Sequence, residues 1–514
     1  MSEPTRRRVL QTAAGGLAAL SMTGFLASCA KDGAVAAATG ELPTDPFLAW
    51  FGIDAGVVRR VLAELGHRGA DHGELYFQHS RSSSITMEDG RIGRAYTNVD
   101  QGVGLRVVVG DQVGYAYTED LTEEAMREAA RTAAAIAKGE ARPAPVDLTP
   151  HALGDRYHLA VPWSEVAIGD KLDLVRRTEA HARTKDPAIE KVSVHFSDGE
   201  ERVLVADMRG NLVIDERPSS RLGVTVTARK GEVVQSNRSG LAGRRGIEWF
   251  DQARIDQVCQ EACDRTMILF DAVRPRAGEW PVVLAAGASG ILLHEAIGHG
   301  MEADFNRKGI SIYADMIGKE VAPDFVTVVD EGTQPGERGA LNVDDEGTPA
   351  GRTLLVENGI LKSYLHDRIS AKHYGVAPTG SGRRQSFRHV PMPRMRSTYM
   401  ENGPHSLDEM IASVEYGIVA ETYTNGQVNI GAGDFTFFIK NGWLIENGRK
   451  SAPIKDVNII GNGPEALRDV TMVANDLKLD TGGWTCGKNG QGVPVSQGMP
   501  SVLVSKLNVG GTDA

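Results

Sequence analysis

Three residues able to do chemistry together sit within six positions, His294, Glu295 and His299, in the run Leu293-His294-Glu295-Ala296-Ile297-Gly298-His299-Gly300. Hydrolysis at a zinc ion needs neutral imidazoles on the metal and a carboxylate that takes a proton from water. The familiar spacing is HExxH, in which four residues advance roughly 400° along a helix, so both imidazoles share a face. Here the spacing is HExxxH, and five residues advance roughly 500°, leaving the second imidazole about 140° from the first on a regular α-helix. Either the two histidines do not share a metal, or the helix is irregular. A π-type turn would bring them together, and Gly298 eases both that distortion and an early helix end. Glu302 and Asp304 follow within two turns and are candidates to orient an imidazole, with a solvated role equally open.

Other reactive types are less pointed. Asp344-Asp345-Glu346 reads as an exposed acidic turn. Arg383 and Arg384 present guanidinium forks that suit either a peptide carboxylate or an ion pair within the chain. Cys259 and Cys263 are four apart on a helical stretch and read as small buried hydrophobes. With Cys29 set apart at the N-terminal end, three cysteines remain, an odd number that argues against a disulfide scaffold. Taken alone, Cys486 reads as an inert residue in a Gly-rich loop.

The elements that must hold these residues are mixed. Glu74–Gln78, Ser84–Met87, Val103–Val109 and Gln112–Tyr117 read as strands, with turns at Asp89-Gly90 and Gly110-Asp111. A helix over Leu121–Lys138 follows, with Asp120 and Glu123 at capping-box spacing. A helix around 171–183 and strands near 191–196, 202–207, 211–215, 223–228 and 232–237 repeat the theme. Gly102–Val113 parallels Leu222–Val233 closely enough to hint at duplication. Ile247–Ala272 reads as a helix, and strands with Gly-punctuated turns dominate beyond Pro281, apart from helices over Ser289–Met301, near Ile369 and over Leu407–Ser413. The fold class is α+β, with an N-terminal α+β domain over 47–245 and a β-rich C-terminal domain carrying the HExxxH helix over 246–514.

A chain of 514 residues with 41% hydrophobic and 24% charged residues builds ordinary globular domains, and a net charge of -11 without a basic run in the mature region argues against nucleic-acid binding. The first residues differ. Arg6-Arg7-Arg8 precedes an uncharged stretch from Thr12 to Ser28, and Leu26-Ala27-Ser28 precedes Cys29. The pattern resembles a twin-arginine signal ending in a lipobox over 1–28, with Cys29 acylated and 29–46 a flexible tether. The expectation is a protein exported folded and lipid-anchored to a bacterial membrane on the periplasmic or extracellular side.

The run from His294 to Gly309 resembles the signature of the TldD/PmbA family, in its TldD branch. Asp344–Pro349, Glu357–Leu361, Pro378–Gly380 with Gly382–Arg384, and Pro391–Met395 resemble TldD segments in the same order, as do Glu74–Phe77 and Asp100–Gly104 in the N-terminal half. The resemblance covers about residues 50–514. It implies a zinc metallopeptidase whose metal is held by His294, His299 and Cys486, the last through Thr485-Cys486-Gly487-Lys488, with Glu295 as general base. It further implies small or unfolded peptides as substrates, bound extended with little side-chain specificity in a chamber enclosed by a homodimer or by a heterodimer with a PmbA/TldE-like subunit. The alternatives are a zinc amidase acting on a non-peptide envelope amide and a non-catalytic PmbA-like subunit.

Overall fold

The structure is a computed structural model that describes residues 46–511 except 152 and 430. Cys29, the signal at 1–28 and the tether through residue 45 lie outside the described residues. The architecture is α+β, as the sequence implies. Among the described residues no helix is long and apolar enough to cross a membrane.

After a short helix, α1 (Pro46–Phe51), one pattern occurs twice. In the first unit α2 (Ala55–Gly66) leads into β1 (His72–Glu88), β2 (Arg91–Val109), β3 (Gln112–Thr118) and α3 (Glu123–Ala134). Then β4 (Thr149–His151) intervenes, and α4 (Ile168–Arg183), β5 (Ile189–Asp207), β6 (Asn211–Lys230), β7 (Val233–Gly243) and α5 (Gln252–Met267) repeat the order. The two meanders join through β1 and β5, which pair antiparallel from Glu74 opposite Asp207 to Glu88 opposite Ser193. One sheet results, in the order β3-β2-β1-β5-β6, with β4 and β7 on different stretches of β6. The short sequence parallel falls on the matching hairpin turns, where Gly110 (φ 60°) and Gly231 (φ 59°) take the left-handed conformation that glycine adopts without strain.

All four long helices cover one face of this sheet. Leu75, Phe77 and Leu105 pack under α2 and α3, and Ile85, Phe196 and Leu222 pack under α4 and α5. Since side chains alternate along a strand, Tyr76, Val203 and Val205 point the other way and meet Val343 and Phe387 of the C-terminal half. Helix α5 contributes Ile255, Val258, Cys259 and Ala262 to the core of the second unit. That helix closes the second repeat as α3 closes the first. The cap of α3 differs from expectation. Thr122 accepts from the Ala125 N–H, while Asp120 accepts from the Thr122 N–H one turn earlier.

In the C-terminal half, β8 (Gly278–Leu284) lies between the strands Tyr416–Val428 and Val502–Gly510. Val457–Asn462 and Asp434–Glu446 continue the ring, and Asp434–Glu446 pairs back onto Tyr416–Val428, closing a small barrel. A second sheet centres on Val328–Glu331, flanked by Arg352–Glu357 and Ser397–Met400, with Ser496–Met499 beyond. Helix α6 (Gly290–Leu293) leaves β8 and plunges between barrel and sheet. A Cβ on Gly290 would stand 2.5 Å from the Gly498 backbone nitrogen, so only glycine admits this approach.

The halves are joined by buried charge. Arg106 meets Glu74 at 3.0 Å and Glu346 at 2.6 Å, and Arg217 meets Asp345 at 2.5 Å. Asp344, Asp345 and Glu346 are thus buried, not exposed, because arginines distant in sequence and the N–H groups of their own turn receive them. Arg383 and Arg384 belong to the same lattice. Arg384 pairs with Glu74 at 2.6 Å, and Arg383 donates to the carbonyls of Met395 and Pro494 at 2.6 and 2.7 Å. Both are buried against the chain's own acceptors, so the reading of them as a clamp for a peptide carboxylate gives way to a structural one.

Candidate metal centre

Helix α6 does not continue as a regular helix. Its backbone widens into a π-turn over His294–Gly298, and the His299 N–H bonds to the His294 carbonyl, five residues back. That closure returns residue 299 over residue 294 and removes the misalignment that HExxxH has on a regular helix. The ring centroids stand 5.1 Å apart with planes at 85°. Gly298 allows the widened turn to seat, since a Cβ there would lie 2.1 Å from the sulfur of buried Met395. Ile291, Leu292, Leu293 and Ile297 anchor the segment in the core, leaving the motif's polar side chains on one side.

The third group arrives from a hairpin, Thr485–Lys488 against Gln491–Pro494. Its two-residue turn is Asn489-Gly490, both at positive φ (49° and 75°), the sequence that best matches the twist of adjacent strands. Alternation sends Cys486 and Lys488 to the same, buried face. A guanidinium N–H of Arg394 donates to the Cys486 carbonyl and fixes the strand. Cys486 Sγ then lies 3.4 Å from His299 Nε2. Potential ligand atoms of His294, His299 and Cys486 all fall within 4.8 Å of one another.

The electrostatics suit a cation. Burial alone would push the Cys486 thiol up, but His294 and His299 overcome it and hold the group well below the ordinary thiol range. Burial would likewise lower His299, yet Glu302 and Cys486 raise it well above the usual imidazole value. Glu302 accepts from His299 Nδ1 at 2.9 Å and from Lys488 Nζ at 3.0 Å. Though burial opposes ionisation, Lys488, His299 and Arg394 bring Glu302 down to about 2. His294 Nδ1 is buried with no hydrogen-bond partner. An unpartnered buried nitrogen, a second imidazole and a thiolate form a donor set that zinc accepts, with one position left for water or substrate. Glu295 borders it, with Oε2 4.0 Å from His299 Nε2 and a side chain 24% exposed where the ligand groups are buried.

The sequence reading did not assign Lys488 or Arg394. The Asn489-Gly490 pair is the signal that could have found Lys488, since a hairpin there puts residues 486 and 488 on one face. Arg394 lies in Pro391–Met395, a segment that carries the family resemblance, but no spacing ties it to the histidines. Asp304 reaches the site only through Lys488, at 2.7 Å.

Three family models match in order: PmbA/TldA metallopeptidase domain 1 over residues 73–137, the central domain over 161–270, and the C-terminal domain over 277–511. The chain is 38% identical to the metalloprotease TldD homolog of Buchnera aphidicola from Acyrthosiphon pisum, over 92% of this chain and all of that protein. It is 38% identical to the Haemophilus influenzae homolog over 87% of this chain and 95% of that one. A zinc metalloprotease TldD homolog of Saccharolobus solfataricus is 29% identical over 86% of this chain and 97% of its own. Among solved structures, TldE from Thermococcus kodakarensis superposes with a TM-score of 0.69 at 20% identity, covering 88% of this chain and all of that one.

Proposed function

The chain belongs to the PmbA/TldA family of metallopeptidases, and from that premise we propose that it hydrolyses peptide bonds with one zinc ion held by His294, His299 and Cys486. The observation that carries this reading is the π-turn, which gathers two imidazoles that a regular helix would keep apart and presents them to a buried thiolate. When bound, the zinc supplies Lewis acidity, which acidifies water and steadies negative charge on the carbonyl oxygen.

The residues of the chain do the rest. Glu295 takes a proton from the attacking water and returns it to the leaving amine. Glu302 holds His299 through Nδ1 and so leaves Nε2, the nitrogen that faces Cys486, as the one that would ligate the metal. Lys488 and Arg394 balance the charge of Glu302 and steady the Cys486 strand.

The substrates in this reading are small or unfolded peptides, held extended by backbone pairing with little side-chain selectivity. The assembly is a chamber made with a second copy or with a PmbA/TldE-like subunit. The chain works outside the cytoplasm, exported folded through Arg6-Arg7 and anchored through a lipid on Cys29. Metal analysis of the purified protein and of Cys486→Ser tests the core of this reading. The expected result is about one zinc per chain, lost with the thiol. Zinc retained in full by Cys486→Ser would sink the ligand assignment. A panel of peptides and non-peptide amides separates peptidase from amidase action.

A further inference from the structure

The face of the first sheet turned away from the helices is covered by the C-terminal half near Tyr76 and Val205 but opens farther along. There the strand register sets Tyr96, Ser84, Ser197 and Arg221 side by side across β2, β1, β5 and β6. The neighbouring row is Asn98, Ser82, Gly199 and Ser219. Small polar side chains thus floor a cavity of about 290 Å³, and Arg221 and Arg338 stand in its wall.

Arg221 stands apart from the buried arginines, and Arg338, like Arg244 and Arg383, has only neutral acceptors. Arg217, Arg384, Arg106 and Arg396 each meet carboxylates. The Arg221 guanidinium has no hydrogen-bond or ion-pair partner among the described residues, and that of Arg338 has only neutral acceptors, the Trp484 carbonyl at 3.0 Å and Thr485 Oγ1 at 3.4 Å. The charges that act on them are further arginines: burial and Arg238 lower Arg221, while burial, Arg244 and Arg221 bring Arg338 down to about 10. Partly buried guanidinium groups that repel one another and lack a counter-charge are stabilised by an incoming anion, best by one that accepts from a fork.

The wall of the cavity touches the segment that leads to Cys486. Arg338 bonds to the two residues that immediately precede Cys486. A Cβ on Gly483 would stand 3.2 Å from Arg221 Nε, so the segment leading to Cys486 rests on Arg221. Thr481 Oγ1 donates to the Gly240 carbonyl and pins that segment to the sheet.

We infer that Arg221 and Arg338 form a carboxylate-binding subsite that positions a peptide substrate on the serine-lined face of the first sheet, beside the Cys486 hairpin. The inference rests on the peptidase reading for its substrate class. The carboxylate comes from a peptide C-terminus or from an acidic side chain.

Calorimetry on the zinc-loaded, full-length Glu295→Gln protein, which binds without turning over, tests it with three probes: alanine hexapeptide as the free acid, the same peptide amidated, and an amidated hexapeptide with one central Glu. The free acid should bind at least about tenfold more tightly than the amide, in line with a charged hydrogen bond. The added Arg221→Gln change should erase that ratio, and Arg338→Gln should reduce it. Preference for the Glu-containing amide alone supports the subsite and identifies a side chain as the source. Equal affinity for all three probes overturns the inference. Hydrolysis by the wild-type enzyme is scored apart: if no peptide is cleaved while the acid still binds preferentially through Arg221, the peptidase reading falls and the subsite stands.

Discussion

Glu302 holds His299 by a 2.9 Å hydrogen bond to Nδ1, and the ring turned in this way brings Nε2 to 3.4 Å from Cys486 Sγ. The carboxylate is fully buried and is itself held by Lys488. Glu302→Gln keeps the shape but loses the charge that favours a Nδ1–H tautomer. Zinc affinity is expected to fall by roughly 10- to 100-fold, the usual effect of removing such an outer partner. Competition with a chromophoric chelator measures it, and unchanged affinity would show that Glu302 does not orient the ring.

Gly298 decides whether the π-turn seats. In Gly298→Ala the new methyl group meets Met395 Sδ at 2.1 Å, and Met395 is fully buried. Overpacking of this kind costs about 1–3 kcal/mol. The variant should melt several degrees lower and bind zinc more weakly, as His299 moves off His294. Calorimetric melting with and without zinc checks both parts. A variant that melts lower yet binds zinc normally would separate core packing from the turn.

Much of this site was legible in the sequence because its parts are local. His294, Glu295 and His299 are neighbours, and the mismatch between HExxxH and a regular helix itself pointed to a distortion at Gly298. Cys486 is 187 residues from His299, and only family resemblance linked them. The acidic turn Asp344–Glu346 was misread for the same reason. Whether a carboxylate is exposed depends on what reaches it, and the Arg106 and Arg217 guanidinium groups and the Arg384 backbone N–H come from other segments. In the first sheet, β1 and β2 are continuous strands where the sequence suggested shorter pieces. Residues 91–99 of β2 are exposed, and strand alternation carries no hydrophobic signal where neither face is buried.

His366 supplies a pH test away from the metal ligands. It is buried near Tyr364 and Tyr374, its Nδ1 lacks a partner, and burial pushes it down to about 4 from the ordinary 6.5. Between those values the unfolded chain binds the proton that the folded chain refuses. The contribution of His366 is therefore complete above pH 6.5 and is lost as pH falls toward 4, by about 3 kcal/mol over the window. Denaturant midpoints of the wild type should drop across this range, and those of His366→Gln should drop less. Parallel pH profiles would remove His366 from the account.

The thiols should separate by environment. Cys259 is fully buried and pushed up to about 12 by burial, so it stays a protonated, inert side chain at neutral pH. Cys486 is held toward the thiolate by two imidazoles. In a Cys29→Ser protein stripped with a chelator, Cys486 should alkylate well before Cys259, at a rate set by opening of its hairpin. Added zinc should protect it, since the thiolate lone pair that attacks the reagent is the one a metal would hold. Peptide mapping after brief iodoacetamide treatment reads the order directly. If zinc leaves the alkylation of Cys486 unchanged, the thiol is not a ligand and the donor set reduces to the two histidines.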